Sequence, residues 1–300
     1  MTKVRWHRTW ILGLVATIMV AAPAYCDDAK AKPNTLTVVV MDPLALPLSC
    51  PCVAGYAQRD YEKFGQFLEK KLGRPVQVQF SESLKKAMQD KTEGKADIVI
   101  GKKSVVDADA KSMSLKFDAF ASLTDKTGET TQYGMIVVAT KDSAKSASDL
   151  KDYRIVFGPE EAEEKHGAAI TLLKDSGIAV GDKLEMCGGC DEGVKRILEK
   201  TDQKGAAVIS SYAHPLLEGC GNVPKGAIRV VAKTKPVPFV TAFLSGKLSV
   251  TDRDAIKKAM FEMGSDAELC VALETANGFV PYAADAQNND VKKKQTPAGN

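Results

Sequence analysis

The sequence lacks the short motifs that mark several enzyme classes. It contains no G-x-S-x-G turn, no G-x-G-x-x-G loop and no Walker phosphate loop. Histidine is scarce, with three in the chain, and only His166 and His214 follow the N-terminal segment. No nucleophilic triad is evident, so we predict a protein that is not an enzyme and carries no cofactor.

Net charge is also scarce. The chain has a formal charge of +3, and Lys3, Arg5 and Arg8 account for it, so the remainder is close to neutral. Nucleic-acid-binding proteins need clustered positive charge to meet the phosphate backbone. The near-neutral remainder therefore predicts no nucleic-acid partner.

Long apolar runs are missing beyond the N-terminus. Residues 1–24 have a basic start, the apolar run TWILGLVATIMVAA and the small-residue sequence APA, which together predict a cleaved secretory signal. A lipoprotein signal acylated at Cys26 is the alternative, although Tyr25 stands where a small residue is wanted. We expect a soluble protein exported to the periplasm or beyond, with a polar linker at 25–35.

Strand-like and helix-like patterns alternate through the rest of the chain. Buried-strand runs such as LTVVVM and ADIVIG are separated by amphipathic helical segments, which predicts an α/β fold with mostly parallel sheets flanked by helices. The alternation restarts after a long apolar strand, so we predict two lobes. Lobe 1 comprises 36–138 plus 243–284 and lobe 2 comprises 139–242, with crossover strands near 138–142 and 237–243 and a disordered tail at 285–300.

Several segments, taken in order, carry a family resemblance. YEKFGQFLEKKLGRPVQVQF, TEGKADIVIG and DLKDYRIVFG resemble periplasmic solute-binding proteins of ABC transporters, in the phosphate/phosphite/phosphonate-binding branch. The similarity extends over about residues 36–280. It implies a type II periplasmic-binding-protein fold, a monomer that closes on a small-molecule or ion ligand between its lobes, and an inner-membrane ABC permease as partner.

In that family a loop rich in Ser and Thr follows the strand RIVFG and grips an oxyanion. Here residues 158–166 contain four glutamates and neither Ser nor Thr. The segment predicts either a solvated helix start, a carboxylate and imidazole site for a cation, or a ligand bound through backbone amides. Lys102, Lys103 and Ser104, after another strand, instead favour an anion.

Seven cysteines leave a further choice open. Cys187 and Cys190 form a C-x-x-C motif, and Cys50 and Cys52 lie in a loop that the resemblance places across the same cleft. These pairs are either structural disulfides, with Cys187 bridged to Cys190, or a soft-metal or redox site for Cu or Zn. An exported protein permits the disulfides.

Two hypotheses follow, with two sets of candidate residues. A solute-binding protein would line its cleft with Cys50, Cys52, Tyr56, Lys102, Lys103, Ser104, Glu160, Glu161, Cys190, Asp191, Ser211 and Tyr212. A metal-binding or thiol-redox protein on the same fold would use Cys50, Cys52, Cys187, Cys190 and His166.

Overall fold

The computed structural model describes residues 35–49, 57–199 and 203–282. The predicted signal, nearly all of the linker, the tail and the loop with Cys50, Cys52 and Tyr56 lie outside the described residues. No helix in the described ranges has the length and apolar character needed to cross a membrane.

The first half of the described chain forms strands and helices with these bounds: β1 (Leu36–Met41), α1 (Tyr61–Leu72), β2 (Val76–Phe80), α2 (Leu84–Asp90), β3 (Ile98–Lys102), α3 (Lys103–Ser112), β4 (Phe117–Leu123), β5 (Thr131–Gln132), β6 (Gly134–Ala139) and β7 (Arg154–Phe157). The second half continues with α4 (Gly167–Asp175), β8 (Glu185–Met186), α5 (Cys190–Glu199), β9 (Gly205–Ser210), α6 (Ala213–Gly219), β10 (Ile228–Lys233), β11 (Val237–Pro238), β12 (Val240–Ser245), α7 (Val250–Glu262), α8 (Ala267–Ala272) and β13 (Phe279–Pro281). Short 3₁₀ turns cover Ala147–Leu150, Glu163–Lys165 and Met263–Ser265.

Two sheets divide the strands into two lobes. The first has the order β13-β4-β12-β3-β1-β2 and the second has the order β10-β6-β9-β7-β8. Each sheet is mixed: β1 runs parallel to β2 and β3, and β7 runs parallel to β8 and β9, whereas the other pairs are antiparallel. The expectation of mostly parallel sheets is therefore too simple, because the strands that return from the crossovers enter each sheet in the opposite direction.

The crossovers differ from the predicted ones in position. β6 lies wholly in the second sheet and β12 lies wholly in the first. The short strands β5 and β11 pair with each other between the sheets. The chain therefore passes to the second lobe before residue 134, earlier than the predicted crossing at 138–142, and it returns between 234 and 239.

Helix α1 shows how local sequence fixes the first lobe. The Asp60 carboxylate caps the helix by accepting from the amides of Glu62 and Lys63. Gly73 ends it in the left-handed conformation at φ 64°. Phe64 is fully buried and its ring lies 5.6 Å from that of Phe279. Burying an aromatic side chain of this size stabilises the fold by about 1.5–3 kcal/mol.

A buried polar network anchors the chain that follows β1. Arg59 pairs with the Asp42 carboxylate at 2.8 Å, and the Tyr61 hydroxyl donates to the same carboxylate at 2.6 Å. Asp42 and Tyr61 have no exposed surface, and Arg59 has 3%. Buried charge of this kind is tolerated only when it is paired. The network therefore fixes both ends of the segment that runs from the end of β1 to the start of α1.

Candidate ligand-binding site between the lobes

Three strands end where the two lobes face each other. β3 of the first lobe ends at Lys102, and β7 and β9 of the second lobe end at Phe157 and Ser210. Ligands of open α/β sheets bind outside the carboxyl ends of the strands. The side chains that follow these strands are therefore the leading candidates for a binding site.

A buried ion pair joins the lobes at this point. The ammonium group of Lys102 contacts the Oε1 atom of Glu164, which lies in the 3₁₀ turn after β7. The Ser210 hydroxyl donates to the same oxygen at 2.6 Å. The Glu164 side chain has no exposed surface and that of Lys102 has 9%. The other oxygen, Oε2, is buried with no hydrogen-bond partner among the described residues.

The surroundings keep Glu164 ionised. Burial by itself raises the pKa of this carboxyl, but the positive charge of Lys102, the Ser210 hydroxyl and the charge of Lys165 outweigh it, so the pKa lies below its usual 4.5. The pKa of Lys102 is lowered, first by burial and also by Lys165, while Glu164 opposes that change. The carboxylate is thus a fixed negative charge held by cations.

Two glycines allow the turn to lie where it does. A Cβ on Gly134 would overlap the backbone carbonyl of Glu164. A Cβ on Gly158 would lie 2.6 Å from the Cβ of Lys165. The missing side chains let the backbone of the turn pack directly on β6 and let Lys165 lie flat against the end of β7.

Lys165 is the unexpected member of the site. Its exposed fraction is 7%, yet its ammonium group makes no hydrogen bond or ion pair with any described residue. A buried charge without a partner is costly. Lys165 lines a pocket of about 250 Å³ between the lobes, where its remaining surface is turned.

The pocket has walls from both lobes. The first lobe contributes the segment after β1, including Leu44 and Ser49, and the second lobe contributes Gly188–Asp191 and the start of α6 with Tyr212. The Tyr212 ring stacks on Phe239 at 5.1 Å, and the Arg59 guanidinium lies 5.5 Å from the Phe239 ring. The Asp42 and Arg59 network therefore supports the aromatic wall from behind.

Lys165, which lines the pocket, and the neighbouring pair of Lys102 and Glu164 together leave an excess of one positive charge. Lys102 and Lys165 carry two positive charges and Glu164 carries one negative charge. Asp191 also lines the pocket, but its carboxylate lies 3.2 Å from the ammonium group of Lys195. The balance favours a ligand group of negative charge.

The comparisons with known proteins agree with a binding cleft. Residues 55–287 match the family described as ABC transporter, phosphonate, periplasmic substrate-binding protein. The chain belongs to this family. A comparison with curated proteins found no match.

Solved structures of substrate-binding proteins share the fold. A binding protein of an ABC phosphonate transporter from Pseudomonas aeruginosa superposes with a TM-score of 0.61 at 12% identity, covering 88% of this chain and 87% of that one. PhnD1 from Prochlorococcus marinus, in complex with methylphosphonate, gives 0.62 at 14% identity over 87% and 98%. A Xanthomonas citri protein bound to chloride gives 0.61 at 12% over 86% and 95%. The protein thus has the two-lobed type II fold of periplasmic binding proteins.

Membership in the family gives the general role of the protein. It is a periplasmic substrate-binding protein of the ABC transporter type, and its family is a solute-binding transport component that works with a membrane permease. The resemblance that the sequence carried is confirmed.

The turn of Lys102, Lys103 and Ser104, which was predicted to favour an anion, lies where the lobes meet. Of these three residues, only Lys102 joins the buried ion pair with Glu164. Lys103 pairs with Asp107 one turn along α3. The Ser104 hydroxyl donates to the backbone carbonyl of Glu161 at 2.6 Å, so it joins the lobes. The Glu160 and Glu161 side chains are exposed.

The predicted helix start after β7 is displaced. The glutamates precede helix α4, which begins at Gly167, and only Glu164 turns inward. His166 approaches the carbonyl of Gly158 through Nδ1 at 3.1 Å, and its ring packs edge-on against Phe157. Both contacts are with residues of the second lobe. The imidazole that was predicted as a cation ligand is therefore engaged in packing and hydrogen bonding at the end of β7.

Both cysteines of the C-x-x-C motif are free thiols, and Cys190 lines the pocket. Cys187 is buried with its sulfur 3.2 Å from the Gly189 carbonyl, and Cys190 lies 3.9 Å from the Ser210 hydroxyl. The bridge expected between Cys187 and Cys190 is absent, because the two sulfurs face different partners. Within the described ranges no three His, Cys, Asp or Glu side chains gather as a metal site.

The other second-lobe candidates divide between a strand end and the pocket wall. The Ser211 hydroxyl accepts from the Tyr133 amide at 3.3 Å and so supports the strand end. Asp191, Cys190 and Tyr212 line the pocket. Glu164 and Lys165 lie in the segment 158–166 that the sequence singled out, although neither was chosen as a cleft residue, and Ser210, also expected near the cleft, directly precedes the predicted Ser211. A polar run directly after a buried strand is the signal that could have found them.

Proposed function

We propose that this substrate-binding protein captures a small anionic solute in the pocket beside Lys165 and presents it to an ABC permease. The observation that carries the proposal is Lys165, a residue that is 7% exposed and whose ammonium group is unpartnered among the described residues. A bound anion would supply the missing partner, and a charge-assisted hydrogen bond is about twice as strong as a neutral one.

The family supports a phosphonate or a similar oxyanion as the solute. The match is to a phosphonate-binding family, and the Prochlorococcus relative is a complex with methylphosphonate. A pocket of about 250 Å³ suits a solute of a few non-hydrogen atoms. Residues 1–24 would direct export, consistent with the periplasmic role of the family.

Titration calorimetry on the exported protein tests the proposal. Methylphosphonate and methanesulfonate are the probes, and Lys165→Met is the decisive variant. Since a hydrogen-bonded charge contributes about 1.5–3 kcal/mol, affinity should fall about tenfold to a hundredfold. Lys174→Met is the matched control, because Lys174 is exposed on α4 of the same lobe.

The thermal stability of Lys165→Met separates lost binding from lost folding. Removing an unpartnered buried charge should leave the melting temperature unchanged or higher. Equal affinity of wild type and Lys165→Met, or no binding of either probe by wild type, would contradict the proposal.

A second candidate function is thiol-based metal capture in the same pocket, since Cys190 and Cys220 both line it as free thiols. Copper(I) or zinc titration of the reduced protein tests it. Stoichiometric binding that Cys190→Ser abolishes would favour this function over anion capture.

A further inference from the structure

We propose that Lys102 and Ser210 form an anion subsite which the chain's own Glu164 carboxylate occupies, so that the pocket selects solutes carrying a single negative charge. The selectivity rests on the proposed function, because it concerns the solute that Lys165 binds. The subsite itself rests on the contacts of Glu164.

The partners of Glu164 are those that a bound oxyanion would need. A cation approaches from the first lobe and a hydroxyl donates from the second lobe at 2.6 Å, in a place without solvent exposure. The same oxygen, Oε1, receives both contacts. The Glu164 carboxylate therefore links the two lobes in the way that a bound anion would.

Only one of the two oxygens of the Glu164 carboxylate is hydrogen-bonded. Oε2 is buried without a hydrogen-bond partner among the described residues. A buried acceptor that lacks a donor is destabilising. Neighbouring glutamates are exposed, so burial of Glu164 is specific to this position. Since hydrogen bonds satisfy only one of its oxygens, we attribute the buried position of the carboxylate to its charge attraction to Lys102.

Charge balance then decides which solute the pocket accepts. Glu164 neutralises Lys102, and Lys165 remains as the one unpartnered cation among the described pocket residues. A solute with one negative charge matches Lys165. A second negative charge would find no free cation among the described pocket residues and would be repelled by the charge of Glu164, the residue that precedes Lys165. A charge taken out of water without a counter-charge is disfavoured.

Two probes of similar tetrahedral shape test the charge rule. Sulfate carries two negative charges and methanesulfonate carries one. Calorimetric affinities of both are measured for wild type, Glu164→Gln and Lys102→Met/Glu164→Gln. Counting Lys102, Glu164 and Lys165, these proteins have a local charge of +1, +2 and +1. The glutamine retains an oxygen that can accept from Ser210.

The expected result is a gain of sulfate affinity by about tenfold or more in Glu164→Gln over wild type, with no such gain in the double variant. A sulfate affinity in Glu164→Gln equal to that of wild type overturns the subsite, whether or not wild type binds methanesulfonate. A gain of equal size in the double variant also overturns it, because size rather than charge would then be responsible.

The folding of each variant is followed by its melting temperature with and without sulfate. If Glu164→Gln is partly unfolded alone, sulfate should restore it by supplying a negative charge for Lys102, and the double variant should show no comparable sulfate stabilisation. A folded Glu164→Gln that sulfate does not stabilise overturns the subsite. Failure of the proposed function would appear separately, as wild type that binds no anion through Lys165.

Discussion

Replacing Lys102 by Met should destabilise the protein far more than removing a surface ion pair. The change leaves the Glu164 carboxylate buried without a cation from the first lobe. Loss of one member of a buried pair costs about 3–5 kcal/mol. At about 2–4 °C per kcal/mol for a chain of this size class, the melting temperature should fall by about 6–20 °C.

A matched control exists in the first lobe. Lys71 and Glu262 form an ion pair at 2.7 Å, but their side chains are 42% and 41% exposed. Exposed pairs contribute about 0–1 kcal/mol. Lys71→Met should therefore lower the melting temperature by no more than a few degrees. The double variant Lys102→Met/Glu164→Gln should recover most of the loss, because no buried charge of the pair remains.

The effect of Lys102→Met should depend on pH in a defined direction. In the wild type the pKa of Glu164 is depressed below 4.5, so its contribution to stability is present above about 4.5 and is lost as pH falls through the lower folded value. In the variant, burial without Lys102 should raise that pKa, and protonation relieves the penalty. The stability difference should therefore shrink as pH falls below neutral.

Urea unfolding followed by circular dichroism at several pH values measures these differences. A Lys102→Met variant that loses no more stability than Lys71→Met at neutral pH would refute the reasoning, because the ion pair between the lobes would then behave as a solvated one. A difference that grows toward acid pH would refute the assigned charge states.

Two further predictions concern the turn and the thiols. Gly134→Ala should destabilise by about 1–3 kcal/mol, since its Cβ would overlap the Glu164 carbonyl, whereas Gly181→Ala, with open space around it, should have little effect in the same melt. Cys187 and Cys190 should both take an alkyl label after denaturation without reductant. A bridged peptide in the mass spectrum, or equal melting temperatures for the two alanine variants, would contradict the structure.

Much of the fold could be predicted from the sequence because buried strands are continuous apolar runs. β1 coincides with the apolar run LTVVVM, and β3 covers most of the run ADIVIG. β4, with sequence FDAFASL, was missed, because Asp118 and Ser122 interrupt its apolar residues and no continuous apolar run marks the strand. The crossing strands were placed too late because β6 reads as one long apolar strand whichever lobe it joins.

The centre of the site could not be predicted in the same way. Glu160 and Glu164 are equivalent in the sequence, and only the 3₁₀ turn after β7 rotates one of them inward. Lys165 is flanked by charged residues and reads as a solvated lysine. Its burial follows from the close approach to Gly158, a tertiary contact that no local pattern encodes.

The most direct test is to locate a bound anion by crystallography. Crystals of the exported protein with bromoethanesulfonate would mark the solute through the anomalous signal of bromine. The account predicts a sulfonate oxygen within hydrogen-bonding distance of the Lys165 ammonium group, with the Lys102 and Glu164 pair intact. A sulfonate at Lys102 with Glu164 displaced, or a solute away from Lys165, would contradict it.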